Sequence, residues 1–411
     1  MDADVTDSAG TPDDEPQTDG QDTDPSNAAP EPPKRRKRHW MRWAAIGVSF
    51  VVLVAAGAGW WFYNKLDHNI KTDNTTTAEL RAYEKERPTP AAAGAENILL
   101  IGSDSRSGDN KKYGRDEGSQ RSDTTILLHL AADKKSATAV SLPRDLMSHV
   151  PSCVKADKTR TQKQFVQFNW AYEFGGTACT VRTVENMTGI RIDHYMVVDF
   201  NGFKGMVDAV NGVEVCLKKP VDDKDAHLKL PAGRQTLNGE QALGYVRLRH
   251  SIGNGSDTER MQRQQEFLGS LVKKVQSNGV LLNPARLYPV LDAATKSVTT
   301  DPGLDTLRDL YDLTRRMRDI PTHRVQFLTV PREPYTADRD RDQLVQPDAD
   351  RLFKRLRDDA PVTVTKGGTG TSAAPGTEST RGTADAGGQG KSSPSPQATF
   401  PGTNAAAAAC G

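Results

Sequence analysis

A long uncharged run near the N-terminus most constrains what this chain can fold into. Residues 43–63 read WAAIGVSFVVLVAAGAGWWFY and contain no charged side chain. At ~1.5 Å per residue, a helix of this length crosses a hydrocarbon core of ~30 Å. Trp43 at one end and Trp60 and Trp61 at the other match the aromatic belts found at membrane interfaces. The run therefore predicts a transmembrane helix over 43–63.

The sequence before this run sets its predicted orientation. Residues 1–33 are acidic and rich in Pro, Thr and Ser, and a basic cluster, KRRKRH at 34–39, follows them. This composition predicts a disordered segment over 1–39. Because basic residues favour the cytoplasmic side of a membrane, we expect a single-pass type II protein with a cytoplasmic N-terminus. A cleaved signal peptide is the alternative, but WWFY lacks the small residues of a cleavage site.

Cysteine usage fits an extracytoplasmic location for everything after the predicted span. Four cysteines allow three pairings. Cys153 and Cys179 both lie in turn-rich sequence, and we predict a disulfide between them. Cys216 lies in the strand-like VEVCL and is interpreted as a small core residue, while Cys410 has no assigned role. A zinc site is not indicated, because the sequence has no CxxC motif and no His–Cys cluster.

Sequence patterning divides the rest of the chain into a linker at 64–93, a folded domain at 94–360 and a low-complexity tail at 361–411. The linker ends in RPTPAAAGA, and the tail is rich in Gly, Ser, Thr, Ala and Pro, which predicts disorder there. Apolar runs in the domain predict strands at 96–102, 124–130, 137–142, 194–200, 213–217 and 324–330. Helical patterns occupy 257–276, 284–297 and 304–319. Because strands alternate with helices, we predict an α/β fold arranged as an α/β/α sandwich.

Four polar motifs adjoin the predicted strands or helices, where α/β folds build their sites. They are GSDSR at 102–106, RSD at 121–123, SLPRD at 141–145 and YVRLR at 245–249. If the last motif is extended, its two arginines point to the same side, because strand side chains alternate. The candidate site residues that these motifs supply are Asp104, Arg106, Arg121, Asp123, Arg144, Asp145, Arg247 and Arg249.

The helix predicted after the last motif presents a further polar face. Asp257, Arg260 and Gln264 are spaced i, i+3 and i+7, so they share one side of the helix. Its N-terminus would lie beside Arg247 and Arg249. Helix N-termini favour anions, and arginine binds phosphate oxygens through two parallel hydrogen bonds. This combination predicts an anion-binding site.

Each motif alone has a simpler explanation, because an arginine next to an aspartate usually forms a solvated ion pair. The net charge of +1 also excludes a global field that recruits nucleic acid. Together, however, the motifs place several guanidinium groups around two carboxylates, Asp104 and Asp123. Magnesium binds one or two protein carboxylates and leaves positions for phosphates. We therefore expect a Mg²⁺–pyrophosphate site, with Mn²⁺ as the alternative ion.

Several motifs occur in an order that resembles the LytR-CpsA-Psr (LCP) family. They are ILLIGSDSR, RSDTTILL, SLPRDL, HYMVVDFNGFKGMVDAVNGVEV, LNGEQALGYVRLRH and SDTERMQRQQEF. The resemblance covers residues 95–280 strongly and extends loosely to 358. It implies a membrane protein of Gram-positive bacteria with an extracytoplasmic α/β/α domain. The implied activity is a Mg²⁺-dependent phosphotransferase that moves a glycopolymer from an undecaprenyl-pyrophosphate carrier onto peptidoglycan.

The resemblance also implies roles for the candidate residues. Asp104 and Asp123 match the metal-binding acids of the family. The pyrophosphate-binding set, with the neighbours that the motifs add, is Arg106, Arg121, Arg144, Arg247, Arg249, Asp257, Arg260 and Gln264. The residues expected to take part in catalysis are Arg121, Arg144, Asp145 and Arg249. The acceptor of the hydroxyl proton stays open between Asp145 and Asp257.

Three other functions remain alternatives. A hydrolase would release the glycan, and a non-catalytic protein would hold the polyprenyl pyrophosphate without turnover. A membrane-bound transcriptional regulator would need a cytoplasmic DNA-binding element, for which residues 1–39 are short and acidic. In the transferase interpretation, the lipid tail of the donor needs an apolar channel between the sheet and its helices.

Overall fold

The described part of the chain begins with one long helix. This helix, α1 (Lys37–Asp67), contains the predicted span and is long and apolar enough to cross a membrane. The chain divides into two units, 1–58 and 59–411, and the second carries every strand that the structure describes. The computed structural model describes residues 37–90, 92–103, 122–224, 226, 228–248, 257–276, 284–365 and 399–407.

The second unit is built from strands and helices that alternate along much of the chain. The strands are β1 (Lys71–Thr72), β2 (Glu96–Ser103), β3 (Ser122–Leu130), β4 (Ala137–Leu142), β5 (Met147–Val150), β6 (Gln164–Gln167), β7 (His194–Val198), β8 (Val213–Leu217), β9 (Val221–Asp223), β10 (Leu228–Leu230), β11 (Gly233–Leu237), β12 (Val298–Thr300), β13 (Val325–Thr329), β14 (Arg332–Tyr335), β15 (Asp338–Leu344), β16 (Thr363–Thr365) and β17 (Thr399–Asn404). The helices after α1 are α2 (Asn74–Ala82), α3 (Trp170–Thr188), α4 (Phe200–Ala209), α5 (Gly239–Arg247), α6 (Asp257–Gln276), α7 (Pro284–Ser297), α8 (Leu307–Arg318) and α9 (Asp348–Arg357).

Nine of these strands form a mixed central sheet in the order β1-β12-β7-β2-β3-β4-β13-β17-β16. At its centre, β3 runs antiparallel to both β2 and β4. β7 is parallel to β2, and β13 is parallel to β4. The remaining strands form antiparallel pairs, β5 with β6, β8 with β11, β9 with β10 and β14 with β15.

Both faces of the sheet are buried, because its central strands are nearly continuous apolar runs. Leu99 and Leu127 lie opposite each other and face the core beneath α3 and α9. Their neighbours Ile98 and Leu128 face the other way, into the core beneath α6 and α8. Helices on both sides of one sheet make this unit an α/β/α sandwich, as the alternating pattern predicts.

Residues 64–93 are partly built into this domain, whereas their polar composition predicts a linker. β1 pairs with β12 at the edge of the central sheet. Asp73 caps α2 by accepting a hydrogen bond from the Thr76 N–H, and Leu80 of the same helix is 5% exposed in the main core. Backbone pairing, the buried Leu66, Ile70 and Leu80, and the Arg87–Glu185 ion pair attach the segment, so its composition understates its order.

The described part of 361–411 also belongs to the sheet, although its composition predicts a disordered tail. β17 pairs with both β13 and β16. Phe400 is 4% exposed and packs in the main core. Residues 366–398 and 408–411 lie outside the described residues. The sequence does not indicate β17, because Phe400 is a single aromatic residue in a long polar segment.

A disulfide joins Cys153 to Cys179 of α3, with the two Cα atoms 5.5 Å apart. Val150 and Val166 of the β5–β6 hairpin pack against it. A Cβ on Gly175 would lie 2.9 Å from the Cβ of Cys153, so only glycine permits this close approach. The disulfide and its apolar neighbours therefore anchor the hairpin to the helix.

Cys216 is disulfide-bonded, whereas its place in VEVCL predicts a small core residue. It lies in β8 between the buried Val215 and Leu217, and its own side chain is on the opposite, partly exposed face. The alternation of side chains along the strand explains why it is not in the core. Cys410 lies outside the described residues.

Candidate functional site

One end of the central sheet gathers the strand ends that carry the first predicted motifs. β2 ends and β3 begins there, with Ser103 opposite Ser122. β4 ends at the same place, because Leu142 lies opposite Thr125 of β3. Three predicted site residues of these motifs lie outside the described residues, namely Asp104, Arg106 and Arg121. Asp123, Arg144 and Asp145 are described.

The turn after β4 fixes the backbone of Arg144 at this end of the sheet. Pro143 ends the strand, and its carbonyl accepts a hydrogen bond from the Leu146 N–H at 3.2 Å. The Arg144 carbonyl accepts another from the Asn169 N–H at 3.0 Å, just before α3 begins. Because proline has no N–H to continue a ladder, the chain turns here and directs Arg144 away from the strand.

The Arg144 guanidinium bridges two carboxylates. Its Nη1 donates to Asp123 Oδ1 at 3.1 Å, and its Nε donates to Asp145 Oδ2 at 3.1 Å. The exposed fractions of the three side chains are 20% for Arg144, 34% for Asp123 and 18% for Asp145. The structure therefore brings three predicted site residues into one partly exposed ion-paired group.

Asp145 is also held from its other side. Its Oδ1 accepts a hydrogen bond from Gln167 Nε2 at 2.7 Å, and Arg341 Nη1 lies 4.0 Å from the same oxygen. Both carboxylate oxygens therefore contact donors. A carboxylate that is held in this way can in turn orient the Arg144 guanidinium. Sequence reasoning missed Gln167 and Arg341, because they come from β6 and β15 and meet Asp145 only through tertiary structure.

Arg247 is the last residue of helix α5, so the expectation of an extended YVRLR motif is wrong. Asn238 caps this helix, and it forms a capping box with Gln241. That box is visible in the sequence as N-x-x-Q in LNGEQ, a start signal that outweighs the alternating arginines. Arg249 lies outside the described residues, so its direction relative to Arg247 is not described.

The guanidinium of Arg247 lies over an aromatic ring close to the same end of the sheet. Its Cζ is 4.8 Å from the centroid of Phe200, a cation–π distance. Phe200 starts α4 immediately after β7, and Val198 of β7 pairs with Gly102 of β2. The contact with Phe200 therefore places Arg247 near the end of the sheet at which β2 ends and β3 begins.

Three further predicted residues lie on α6, namely Asp257, Arg260 and Gln264. The side chain of Asp257 lies outside the described ones. Arg260 is only 5% exposed. Gln264 donates through Nε2 to the Val246 carbonyl at 3.1 Å. This contact differs from the direct pyrophosphate binding predicted for Gln264. A carbonyl at the end of a helix lacks an intrahelical donor, and the glutamine amide supplies one.

Arg263 also donates a hydrogen bond to a backbone carbonyl, two residues further along the chain than the carbonyl that Gln264 binds. Sequence reasoning assigned Arg263 no role. Its Nη2 donates to the Leu248 carbonyl, directly before Arg249. The side chain is 6% exposed, and burial lowers the pKa of its guanidinium. A signal exists in the sequence, because Arg263 and the buried Phe267 are spaced i, i+4 and share the apolar side of the helix.

Gln265 joins α6 to the strand ends. Its Nε2 donates to Thr329 Oγ1 of β13 at 2.9 Å and to Ser141 Oγ of β4 at 3.3 Å. Both hydroxyls stand near the carboxyl ends of their strands, beside the turn that carries Arg144. The amide contacts of Gln264 and Gln265 therefore fix α5, α6 and the sheet end as one frame.

The donor set fits a magnesium ion in part. The described residues contain no group of three or more His, Cys, Asp or Glu side chains that could hold a metal by themselves. Asp123 offers a partly exposed carboxylate at the sheet end. Mg²⁺ typically takes one or two protein carboxylates and completes its shell with phosphate oxygens and water, so a single described carboxylate is compatible with it.

The fold and the ion-paired group at the end of the sheet define the class of protein. It is a single-pass membrane protein whose α/β/α domain places arginine and aspartate side chains together where the central strands end. The LytR_cpsA_psr family model matches residues 66–358. The chain belongs to the LytR_cpsA_psr family.

Named relatives agree with this assignment. The cell wall biosynthesis protein LcpA of Corynebacterium glutamicum is 33% identical over 336 residues, which cover 75% of this chain and 63% of LcpA. The polyisoprenyl-teichoic acid–peptidoglycan teichoic acid transferase TagU of Enterococcus faecalis is 32% identical over 269 residues, which cover 64% of this chain and 79% of TagU. The match thus spans less than two thirds of the length of LcpA.

A solved structure supports the fold. The LytR-Csp2A-Psr enzyme from Actinomyces oris superposes with a TM-score of 0.52 at 23% sequence identity. The superposition covers 66% of this chain and 93% of that chain. The sandwich described above is therefore the fold of that enzyme as well.

Proposed function

We propose that this protein is a phosphotransferase that moves a glycopolymer from an undecaprenyl-pyrophosphate carrier onto a peptidoglycan hydroxyl. The observation that carries the proposal is the position of Arg144, held between Asp123 and Asp145 where the central strands end. Arg247 lies at the same end of the sheet. The names of TagU and LcpA, a teichoic acid transferase and a cell wall biosynthesis protein, support the same reaction class.

The proposed reaction breaks a phosphoanhydride bond and forms a phosphoester bond. The acceptor hydroxyl oxygen bonds to the phosphorus that bears the sugar, the bridging P–O bond breaks, and undecaprenyl phosphate leaves. The hydroxyl proton passes to a base, for which Asp145 and Asp257 are the candidates. Phosphoryl transfer needs little covalent chemistry from the protein, so positioning and charge stabilisation dominate.

The arginines supply that charge stabilisation in the proposal. Arg144 reaches its place through the turn after β4 and is oriented by Asp145, which Gln167 holds in turn. Arg247 on α5 and Arg260 on α6 add positive charge. In the proposal Arg106, Arg121 and Arg249, which lie outside the described residues, do the same. A guanidinium matches phosphate oxygens in two-point geometry, which a lysine does not.

A divalent cation is part of the proposal. Asp123 and Asp104 would hold Mg²⁺, or Mn²⁺ in its place, and the ion would neutralise phosphate charge while the donor is bound. Arg144 contacts only one oxygen of Asp123 in the described contacts, and the Asp123 side chain is one-third exposed. This geometry suits a carboxylate that serves both an arginine and an ion.

The proposed topology places the N-terminus in the cytoplasm and the α/β/α domain outside it. The basic cluster at 34–39 supports this orientation through the positive-inside bias. A domain attached to the membrane meets a lipid-linked donor in two dimensions rather than by diffusion from solution. The partners are therefore the lipid-borne donor, the membrane itself and peptidoglycan, with no nucleic acid.

Product analysis tests the proposal against its alternatives. The purified full chain in detergent receives a labelled glycan on undecaprenyl pyrophosphate, together with peptidoglycan, with and without Mg²⁺. Label on peptidoglycan that requires Mg²⁺ is the expected result. Free labelled glycan would instead identify a hydrolase, and an unchanged but bound donor would identify a carrier protein.

A further inference from the structure

A small aromatic surface extends from the candidate site along the β5–β6 hairpin. We infer that His149, Phe165 and Tyr335, here named the aromatic patch, bind a sugar ring of the peptidoglycan acceptor. The ring centroids of His149 and Phe165 are 4.8 Å apart, and those of Phe165 and Tyr335 are 6.0 Å apart. Phe165 is 42% exposed, which is unusual for a phenylalanine outside the apolar helix α1.

Strand geometry connects this patch to Arg144. His149 pairs with Phe165, and Met147 pairs with Gln167, so these four side chains share one face of the hairpin. Gln167 donates to Asp145, which holds Arg144. Two residues along a strand span about 7 Å. Phe165 therefore lies beyond Gln167 by a distance similar to the length of one sugar ring.

The opposite face of the hairpin supports the patch from below. Val150 and Val166 point inward and pack against the disulfide between Cys153 and Cys179. The β14–β15 hairpin supplies Tyr335. It is attached to the turn after β4, since the Asp342 N–H donates to the Asp145 carbonyl at 3.1 Å. An aromatic surface held from two sides loses little freedom when a ligand binds.

The chemistry of the patch favours a sugar of the acceptor. A pyranose ring has one face of C–H groups, and the electron-rich faces of aromatic rings attract such groups. The Tyr335 hydroxyl and the His149 ring nitrogens can exchange hydrogen bonds with sugar hydroxyls. The donor carries a pyrophosphate for the arginines to bind. The acceptor carries none, so it depends on an uncharged surface of this kind.

The inference rests on the proposed function, and its test uses the full chain in detergent. Calorimetric titration with an oligosaccharide of alternating N-acetylglucosamine and N-acetylmuramic acid measures binding without turnover. Phe165→Ala should weaken binding about tenfold and raise the KM for this acceptor similarly, with the donor KM and the Tm unchanged. Phe165→Tyr should keep the wild-type affinity and acceptor KM. Phe165→Leu, which is apolar but has no ring, should show the same weakened binding and raised KM as Phe165→Ala.

Tyr311→Ala is the matched control. Tyr311 is 56% exposed on α8, whose neighbouring residues line a cleft with His194 at the other end of β7. This variant should leave oligosaccharide binding and both KM values unchanged. Equal effects of Tyr311→Ala and Phe165→Ala would overturn the inference, as would an effect of Phe165→Ala on the donor KM alone.

The two measurements separate this inference from the proposed function. If the wild-type chain binds the oligosaccharide through Phe165 but transfers no glycan, the patch stands and the transferase proposal fails. If transfer proceeds normally while Phe165→Ala leaves oligosaccharide binding unchanged, the transferase proposal stands and the patch is refuted.

Discussion

Arg144 Nη1 lies 3.1 Å from Asp123 Oδ1, across the end of the sheet where β3 begins and β4 stops. This contact joins a residue expected to bind phosphate to one expected to bind a metal. Because the pair is partly exposed, its contribution to stability is small, ~0–1 kcal/mol. Its geometry therefore matters more for function than for folding.

Replacing Arg144 should remove activity without unfolding the protein. We expect Arg144→Lys to lower kcat/KM for transfer by about 10³-fold, because lysine cannot reproduce the two-point geometry. Asp123→Asn should abolish the dependence on Mg²⁺ with a similar loss. Steady-state kinetics and thermal melts measure both effects. Arg351→Lys, in the exposed pair with Asp348, is the control and should change nothing. Near-normal turnover of Arg144→Lys would favour a plain surface ion pair.

Arg263 should act as a positioning residue for the chain that leads into Arg249. In Arg263→Leu the Leu248 carbonyl loses its donor, so amide exchange across 245–248 should rise and kcat should fall at least tenfold with little change in donor KM. Arg263→Lys, which can still donate, should recover part of the kcat. Lys273→Leu, on the exposed side of the same helix, is the matched control. If kcat falls without any change in exchange, the carbonyl contact is not the cause.

Removing the disulfide should cost stability through the unfolded chain. Cys153 and Cys179 are 26 residues apart, and closing a loop of that size corresponds to ~3 kcal/mol in the chain-entropy account. The double substitution to alanine should lower the free energy of unfolding by about this amount in urea titrations. The same substitution should also weaken oligosaccharide binding, since Val150 and Val166 lose their support. An unchanged unfolding midpoint would contradict the first expectation, and unchanged oligosaccharide binding would contradict the second.

Asp193 should make the protein less stable as the pH rises. Burial, the larger effect, raises the pKa of this carboxyl above its usual 3.8, although the Asn97 N–H donates to it at 2.8 Å. The folded state therefore holds the proton more tightly than the unfolded state. Its stabilising contribution is complete below the ordinary pKa and is lost as the pH rises through the raised value.

The matching variant is Asp193→Asn, which removes the buried charge. At pH 7 it should raise the free energy of unfolding, and at pH 3 the difference from wild type should vanish. Transfer activity should be unaffected, because Asp193 precedes β7 at the end of the sheet away from Arg144. Asp319→Asn, an exposed carboxyl, is the control. A gain in stability that persists at pH 3 would refute the buried-charge explanation.

The central strands and several helices could be predicted because their apolar runs are long and regular. The expectation for 137–142 coincides with β4, and those for 257–276 and 284–297 coincide with α6 and α7. The short length of the apolar run indicates a strand for β4, whereas longer patterns with helical spacing indicate α6 and α7. The outer strands of the sheet escaped prediction, because β1, β16 and β17 are short and mainly polar.

The candidate site was only partly accessible to sequence reasoning. Proximity along the chain suggested Arg144 with Asp145, whereas the contact to Asp123 requires β3 and β4 to be neighbours. Gln167 and Arg263 act through carbonyl or carboxylate partners that are distant in sequence. No local motif encodes such contacts.

β17 lies between β13 and β16, although it follows both in the chain. A growing polypeptide therefore cannot finish its sheet until residues 399–404 have been synthesised. Until then the outer side of β13 presents unpaired backbone groups, which can recruit strands from other nascent chains. The last described strand of the chain therefore closes an edge that would otherwise favour aggregation.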